Sequence, residues 1–300
     1  MLRVAAAREN DHVPEDDGPS VHLPVSVGRA MHLIANTRMY GAGEQCRRLW
    51  TELVGFVSRD SGVPLEIVEH AAPAPIEDLW NRPDMGLVQM CGWPYWRSDP
   101  RPNLVAAPVL DHDYCSDRAL YWTDMVVRGD EEAGRLEDLF EGRLGWTVDH
   151  SHSGYNAPRW MLLPHFQRAG KPLFSQSLGP YKSPIGIINA LLENEIDVGP
   201  VDGYFHLLLE RHRPELASKI RTIAVSDPAP MPPFVASRGI SAGDLESLRN
   251  SALHAHLAPA ARTVMEDLAI RRFVVPETGF YEATESWSRD AIAHGYERPA

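Results

Sequence analysis

The sequence predicts an α/β protein of two lobes, and three observations carry that prediction. Apolar runs of strand length alternate with segments of helical apolar spacing, the pattern of parallel sheets flanked by helices. The alternation restarts at Leu120–Val127, which gives two such series rather than one. With 300 residues, 44% hydrophobic and 23% charged, the chain is long and apolar enough for two ordinary cores. The expected division is a polar N-terminal tail over 1–24, a first lobe of 25–118 with 227–300, and a second lobe of 119–226. Each lobe is expected to hold a mostly parallel sheet, with a ligand cleft between them.

In the first series, Met31 to Ala35 reads as a strand. Gly41 to Ser58 reads as a helix, because Cys46, Leu49, Trp50, Leu53, Val54 and Val57 fall three or four apart. Strand candidates follow at Pro64–Val68, Met85–Met90 and Leu104–Leu110, with a short helix at Ile76–Trp80. The second series has strands at Leu120–Val127, Leu144–Val148, Pro172–Ser175, Ile196–Val201 and Ile220–Val225. Its helices are expected near Ala157–Arg168, Ser183–Glu193 and Tyr204–Arg211. The prolines of Asp227–Pro233 make an extended return, followed by strand Phe234–Ser237. Three helices close the chain, near Asp244–His256, Pro259–Ala269 and Tyr281–His294, and Ser241 fits the N-cap of the first. The crossings between lobes fall near Asp117–Leu120 and Ser226–Pro233.

In open sheets ligands sit beyond the carboxyl ends of strands, where the chain places the loops Asn36–Tyr40, Gly92–Trp96 and Asp149–Asn156. The third, Asp-His-Ser-His-Ser-Gly-Tyr-Asn, has the strongest chemistry. A helix opening behind it presents unpaired amides and the positive end of its dipole, with Ser151 and Ser153 adding hydroxyls: a seat for a small anion.

Five segments in this order resemble the phosphate/phosphite/phosphonate substrate-binding proteins of ABC transporters. They are Leu120–Arg128, Leu136–Gly145, Asp149–Tyr155, Ile187–Asp202 and Ser226–Val235, and the similarity spans about residues 30–295. The resemblance implies the type 2 periplasmic-binding-protein fold, a two-lobed clamp that closes on its ligand. It implies ligand contacts at Ser151, His152, Ser153 and Gly154, at Asp202, and in the first lobe at Tyr40 and Gly92–Tyr95, including Trp93 and Tyr95. Where the family carries a Gly-Ser-His element, this chain reads Gly179-Pro180-Tyr181-Lys182-Ser183, so Tyr181 or Lys182 stands near the place of a histidine. A carboxylate at Asp202 beside an anion suits a protonated oxyanion or a zwitterion such as an aminoalkylphosphonate. Its alternative role is to cap the helix starting near Tyr204.

The remaining features narrow the function. A formal charge of −12 disfavours nucleic-acid binding. The three cysteines form no C-x-x-C pair, and Cys46 and Cys91 read as core. His150 and His152 stand two apart and Asp111-His112-Asp113 forms another cluster, but no third ligand has convincing spacing; His254 and His256 on a helix point apart. No metal or cofactor is expected. The expected partners are a small anionic or zwitterionic ligand and an ABC permease, for a monomer with no membrane-inserted span. The early charges and prolines leave no apolar core of signal-peptide length, which predicts a chain that is not exported, whereas the resemblance implies the periplasm. Two alternatives follow from that tension. One is a cytosolic enzyme of the same fold acting on a small carboxylate or phosphate metabolite, with His150, His152, Asp149 and Asp202 as acid–base groups. The other is a ligand sensor.

Overall fold

The computed structural model describes residues 32–300; the expected tail, 1–24, and the first residue of the expected Met31–Ala35 strand lie outside them. The chain first runs β1 (Leu33–Asn36), α1 (Glu44–Ser61), β2 (Leu65–Ile67), α2 (Glu77–Trp80), β3 (Met85–Gln89), α3 (Gly92–Arg97) and β4 (Asn103–Leu110). It continues through β5 (Leu120–Tyr121), β6 (Thr123–Arg128), β7 (Arg143–Gly145), a π-turn at His152–Asn156 and α4 (Ala157–Ala169). Next come β8 (Gln176–Leu178), α5 (Pro184–Leu192), β9 (Gly199–Asp202), α6 (Gly203–His212), α7 (Pro214–Ala217) and β10 (Ile220–Val225). The last elements are β11 (Ala229–Pro230), β12 (Phe234–Ala236), α8 (Ala242–His254), α9 (Pro259–Asp267), β13 (Ile270–Val274) and α10 (Glu282–Ala293).

Local chemistry sets these elements. The residues read as the apolar face of α1 are all buried, and Gly62 ends the helix in the left-handed conformation that a glycine takes without strain. Ser183 caps α5 through the Gly186 amide and Ser241 caps α8 through the Asp244 amide, at 3.1 and 3.0 Å.

Two sheets organise the molecule. The first has the order β13-β4-β12-β3-β1-β2, and the second β10-β6-β9. Strand β7 pairs with β8 and bridges to Val198, just before β9. The pairings are mixed rather than mostly parallel. Strands β1, β2 and β3 run parallel, but β12 is antiparallel to β3 and β4, and β13 to β4. The reason is topological: only strands linked by a helical crossover are constrained to run parallel, and β12 arrives from the other sheet. The two passages between the sheets pair with each other, Tyr121 opposite Ala229 and Leu120 opposite Pro230.

Four further differences from the expectation have local causes. Pro172–Ser175 is not a strand; Leu173 and Phe174 bury as a loop and the pairing begins at Gln176. Gly92–Trp96 is the helix α3, since Pro94 falls within its first turn, where a missing amide hydrogen costs nothing. Strand β13 was not foreseen, because its apolar residues continue the pattern of α9. Finally, the chain end packs beside α4 and β8. Tyr296 stacks on Phe166, Arg159 donates to Ser288 Oγ and Glu297 O, and Ser177 donates to Pro299 O, so 288–300 lies against the second sheet's core. One buried aromatic in a short tail leaves no periodic signal.

Candidate functional site

A cavity of about 640 Å³ opens between the two sheets. Its first wall comes from the end of β1 and the segment after β2, its second from the residues following β7, the stretch before α5 and the end of β9. Asn36 holds the first wall in shape: its side chain donates to Val68 O at 2.8 Å and accepts from the Arg38 amide at 3.0 Å.

The Ser151–Gly154 segment lines the second wall. Ser151 Oγ accepts from the Gly154 amide at 3.0 Å, which leaves its hydroxyl hydrogen for another acceptor. The Ser153 carbonyl accepts from Thr123 Oγ1 at 3.1 Å, and the Gly154 carbonyl from the Thr147 amide at 3.1 Å, so β6 and the end of β7 fix the loop. A side chain at Gly154 has no room: a Cβ there would stand 1.8 Å from Thr147 Oγ1. The wide π-turn ends with the Asn156 amide bonded to Ser151 O, and α4 continues from it. The amides are less open than the sequence suggested, since that of Gly154 is held by Ser151 and that of His152 points at Cys91 Sγ, 3.3 Å away.

Asp202 lies at the centre of the buried polar network. Its Oδ1 accepts from the Tyr204 and Phe205 amides at 3.0 and 3.1 Å, capping α6. Its Oδ2 accepts from Ser153 Oγ at 3.1 Å and, across the cleft, from Tyr40 Oη at 3.4 Å. Burial pushes the carboxyl up to about 7, against the opposing pull of these four bonds. Asp202 thus caps α6, its alternative role, and lines the cavity, but its acceptor positions are filled by the protein.

The predicted contacts divide. Ser151, Ser153, Gly154 and Asp202 line the cavity, and Tyr40 reaches it only through Asp202, its ring packed 4.6 Å from that of Tyr204. Four do not line it. His152 turns inward, its Nδ1 3.1 Å from Asn156 Nδ2 and its ring 5.1 Å from Trp287; burial pulls its pKa down to about 3, so it is neutral. Trp93 Nε1 donates to Glu285 at 2.8 Å, and Tyr95 packs edge-on against Tyr281, both toward α10. Tyr181 is half-buried, while its neighbours Pro180 and Lys182 face the cavity. Of the acid–base group considered for an enzyme, His150 lies on the cavity wall, 3.1 Å from Glu77 and 3.5 Å from Asp149, without His152.

Several lining residues were not foreseen. Tyr121 and Thr147 belong to the cavity wall with side chains almost wholly buried; the Thr147 hydroxyl, enclosed against Gly154, has no hydrogen-bond partner among the described residues, and that of Tyr121 lies beside Ser153. Both sit inside apolar runs, where a hydroxyl gives no periodic signal. Arg38 stood in a loop read only through Tyr40. Among the described residues no three His, Cys, Asp or Glu side chains gather as a metal set, and no helix is long and apolar enough to cross a membrane.

Similarity to known proteins was found at two levels. By fold, the chain resembles the binding component of an ABC phosphonate transporter from Pseudomonas aeruginosa (TM-score 0.74, 16% identity, 89% of this chain and 88% of that one). It also resembles PhnD1 of Prochlorococcus marinus in complex with methylphosphonate (TM-score 0.70, 15% identity, 88% and 99%). A protein of Xanthomonas citri bound to ATP is more distant (TM-score 0.58, 17% identity, 88% and 98%). These likenesses establish the two-lobed periplasmic-binding-protein fold. No curated protein matches the sequence. Residues 41–279, however, match the profile of the ABC-transporter phosphonate periplasmic substrate-binding proteins, and the chain belongs to that family of solute-binding proteins.

Proposed function

We propose that the protein captures a small tetrahedral oxyanion of the phosphonate kind in this cavity and passes it, as a monomer, to an ABC permease. The observation that carries the reading is the Ser151–Gly154 segment on the cavity wall, where Ser151 Oγ accepts from the Gly154 amide and keeps its hydrogen for an acceptor, with the buried hydroxyls of Tyr121 and Thr147 behind it. A buried unpaired hydroxyl is unfavourable by roughly 1–3 kcal/mol, and an anionic oxygen would accept the Ser151 hydrogen. The donors are hydroxyls, so the seat binds through directed hydrogen bonds. Asp202 then acts by orienting Ser153 and Tyr40 rather than by accepting from the ligand. The hinge is then the paired β5 and β11, with one lobe of 32–118 and 227–287 and the other of 119–226 and 288–300.

Thr147→Val and Ser151→Ala test the seat. Titration calorimetry with methylphosphonate is expected to show each variant binding about tenfold or more weakly, the loss of one hydrogen bond to a charged group. Thr147→Val is expected to keep or raise thermal stability, because it removes an unpaired polar atom. Folded variants with unchanged affinity would overturn the assignment.

A further inference from the structure

The cavity is too large for a small oxyanion alone, and its chemistry beyond the anion seat is specific. Volumes of about 300–1,000 Å³ are those that enclose drug-sized ligands, and this cavity measures about 640 Å³. Away from Ser151 and Ser153 the walls carry the apolar side chains Met39, Ile67, Val68, Ile76, Trp80 and Ile185, with Arg47, Glu69, His70, Glu77 and His150 between them. Among these stands Arg38. Its guanidinium donates through Nη1 to Ala74 O at 2.8 Å and has no carboxylate within ion-pair distance among the described residues. The side chain is partly buried, and burial lowers its pKa despite the opposing field of Glu77. A cation that has lost part of its hydration without gaining a counter-ion is an anion site with its geometry already set, because Ala74 O and the Asn36 turn hold it. Lys182, on the opposite wall, is exposed and likewise unpaired among the described residues.

The acidic groups of the cavity do not offer the same opportunity to a ligand amine. Asp202 is filled by four protein donors, and Glu77 faces His150 at 3.1 Å. Glu69 lines the rim but is exposed and keeps its water. The uncompensated charge within the walls is positive.

Resting on the reading above, that the Ser151–Gly154 segment seats a phosphonate head, we infer that the ligand is an organophosphonate with a second anionic group. Its apolar body lies along Ile76 and Trp80, and a terminal carboxylate meets Arg38, with Lys182 closing from the other lobe. The zwitterionic aminoalkylphosphonate is then the poorer ligand.

The experiment is a calorimetric series on the full chain. It pairs ethyl-, propyl- and butylphosphonate with 3-phosphonopropionate, 4-phosphonobutyrate and 5-phosphonopentanoate, and adds 2-aminoethylphosphonate. At least one carboxylated member is expected to bind about tenfold or more tightly than its alkyl counterpart and than the amine, a step of about 1.4 kcal/mol. R38Q is expected to collapse that ratio to near one, and R38K to retain part of it, with melting curves showing both variants folded. Alkylphosphonates that bind as well as every carboxylated partner, or a ratio untouched by R38Q, would overturn the inference while leaving the phosphonate seat standing. No binding by any member would overturn both.

Discussion

Two short helical segments follow strand ends in this molecule, α3 after β3 and the π-turn between β7 and α4. Both carry aromatic residues and a glycine that something approaches closely. At Gly92 the neighbour is the ring of Tyr281, 2.8 Å from where a Cβ would stand; at Gly154 it is the Thr147 hydroxyl. The polar atoms of α3 are engaged internally, Trp93 with Glu285 and Tyr95 behind it against Tyr281. Those around the π-turn are not all engaged: Ser151, on the cavity wall, accepts from the Gly154 amide and keeps its hydroxyl hydrogen free. Position at a strand end therefore does not make a ligand wall.

The sharpest way to break that contrast is to add a methyl group at each glycine. Gly154→Ala forces the loop and Thr147 apart, and overpacking of this kind is unfavourable by roughly 1–3 kcal/mol. The expected result is a lower melting temperature together with loss of methylphosphonate binding by more than about tenfold. Gly92→Ala meets a ring edge and is expected to destabilise comparably, yet to leave affinity within about twofold. Equal losses of affinity in the two variants would show that both segments serve the ligand.

Asp202 offers the next largest effect, through pH. In the unfolded chain the carboxyl titrates near its ordinary 3.8, and in the folded protein burial raises it to about 7. The folded state therefore holds a proton that the unfolded chain releases between those values. This contribution is fully present below about pH 4 and is lost as pH rises through 7, at most about 4 kcal/mol for a shift of some three units. Urea unfolding across pH 4.5–8 is expected to show the decline, and Asp202→Asn to flatten it. His206 adds a smaller slope of the same sign: burial lowers its pKa, but Asp124 Oδ2 at 2.8 Å outweighs burial and raises it. A slope unchanged in Asp202→Asn would refute the buried, proton-holding carboxyl.

His152 separates packing from binding within the π-turn itself. His152→Ala removes a buried ring between Tyr121 and Trp287 and is expected to lower stability by about 2–4 kcal/mol. Affinity for methylphosphonate in the folded fraction is expected to stay within about threefold. A loss matching that of Ser151→Ala would return this histidine to the cavity.

The fold could be read from the residues, and so could Ser151, Ser153, Gly154 and Asp202 as cavity-lining positions, for specific reasons. The face of α1 and the caps at Ser183 and Ser241 are local signals, and each is found where its spacing placed it. The Ser151–Gly154 segment stood out by its place between a strand end and a helix start, and it lines the cavity. Tyr121, Thr147 and Arg38 did not, since their role depends on what their polar atoms fail to meet across two sheets. Trp93 and Tyr95 show the reverse case. An aromatic beside a glycine reads the same in a cleft or a core, and only the partners Glu285 and Tyr281, nearly 200 residues later, decide it.

Trp93 gives the smallest expected effect and the cleanest control. Its Nε1 donates to Glu285 Oε2, and hydrogen bonds to charged groups contribute roughly 1.5–3 kcal/mol. Glu285 is a quarter exposed, 26%, and has Arg97 at 3.9 Å, so water and the guanidinium can replace part of what the indole supplied. Trp93→Phe keeps a ring in the α3–α10 contact and should therefore destabilise by only about 1 kcal/mol. In a domain of this size that is a fall of roughly 2–4 °C in melting temperature. Because the ring faces α10 rather than the cavity, the methylphosphonate isotherm is expected to be unchanged. A variant with intact stability and weakened binding would place the α3 aromatics against the ligand and remove the distinction between the two segments.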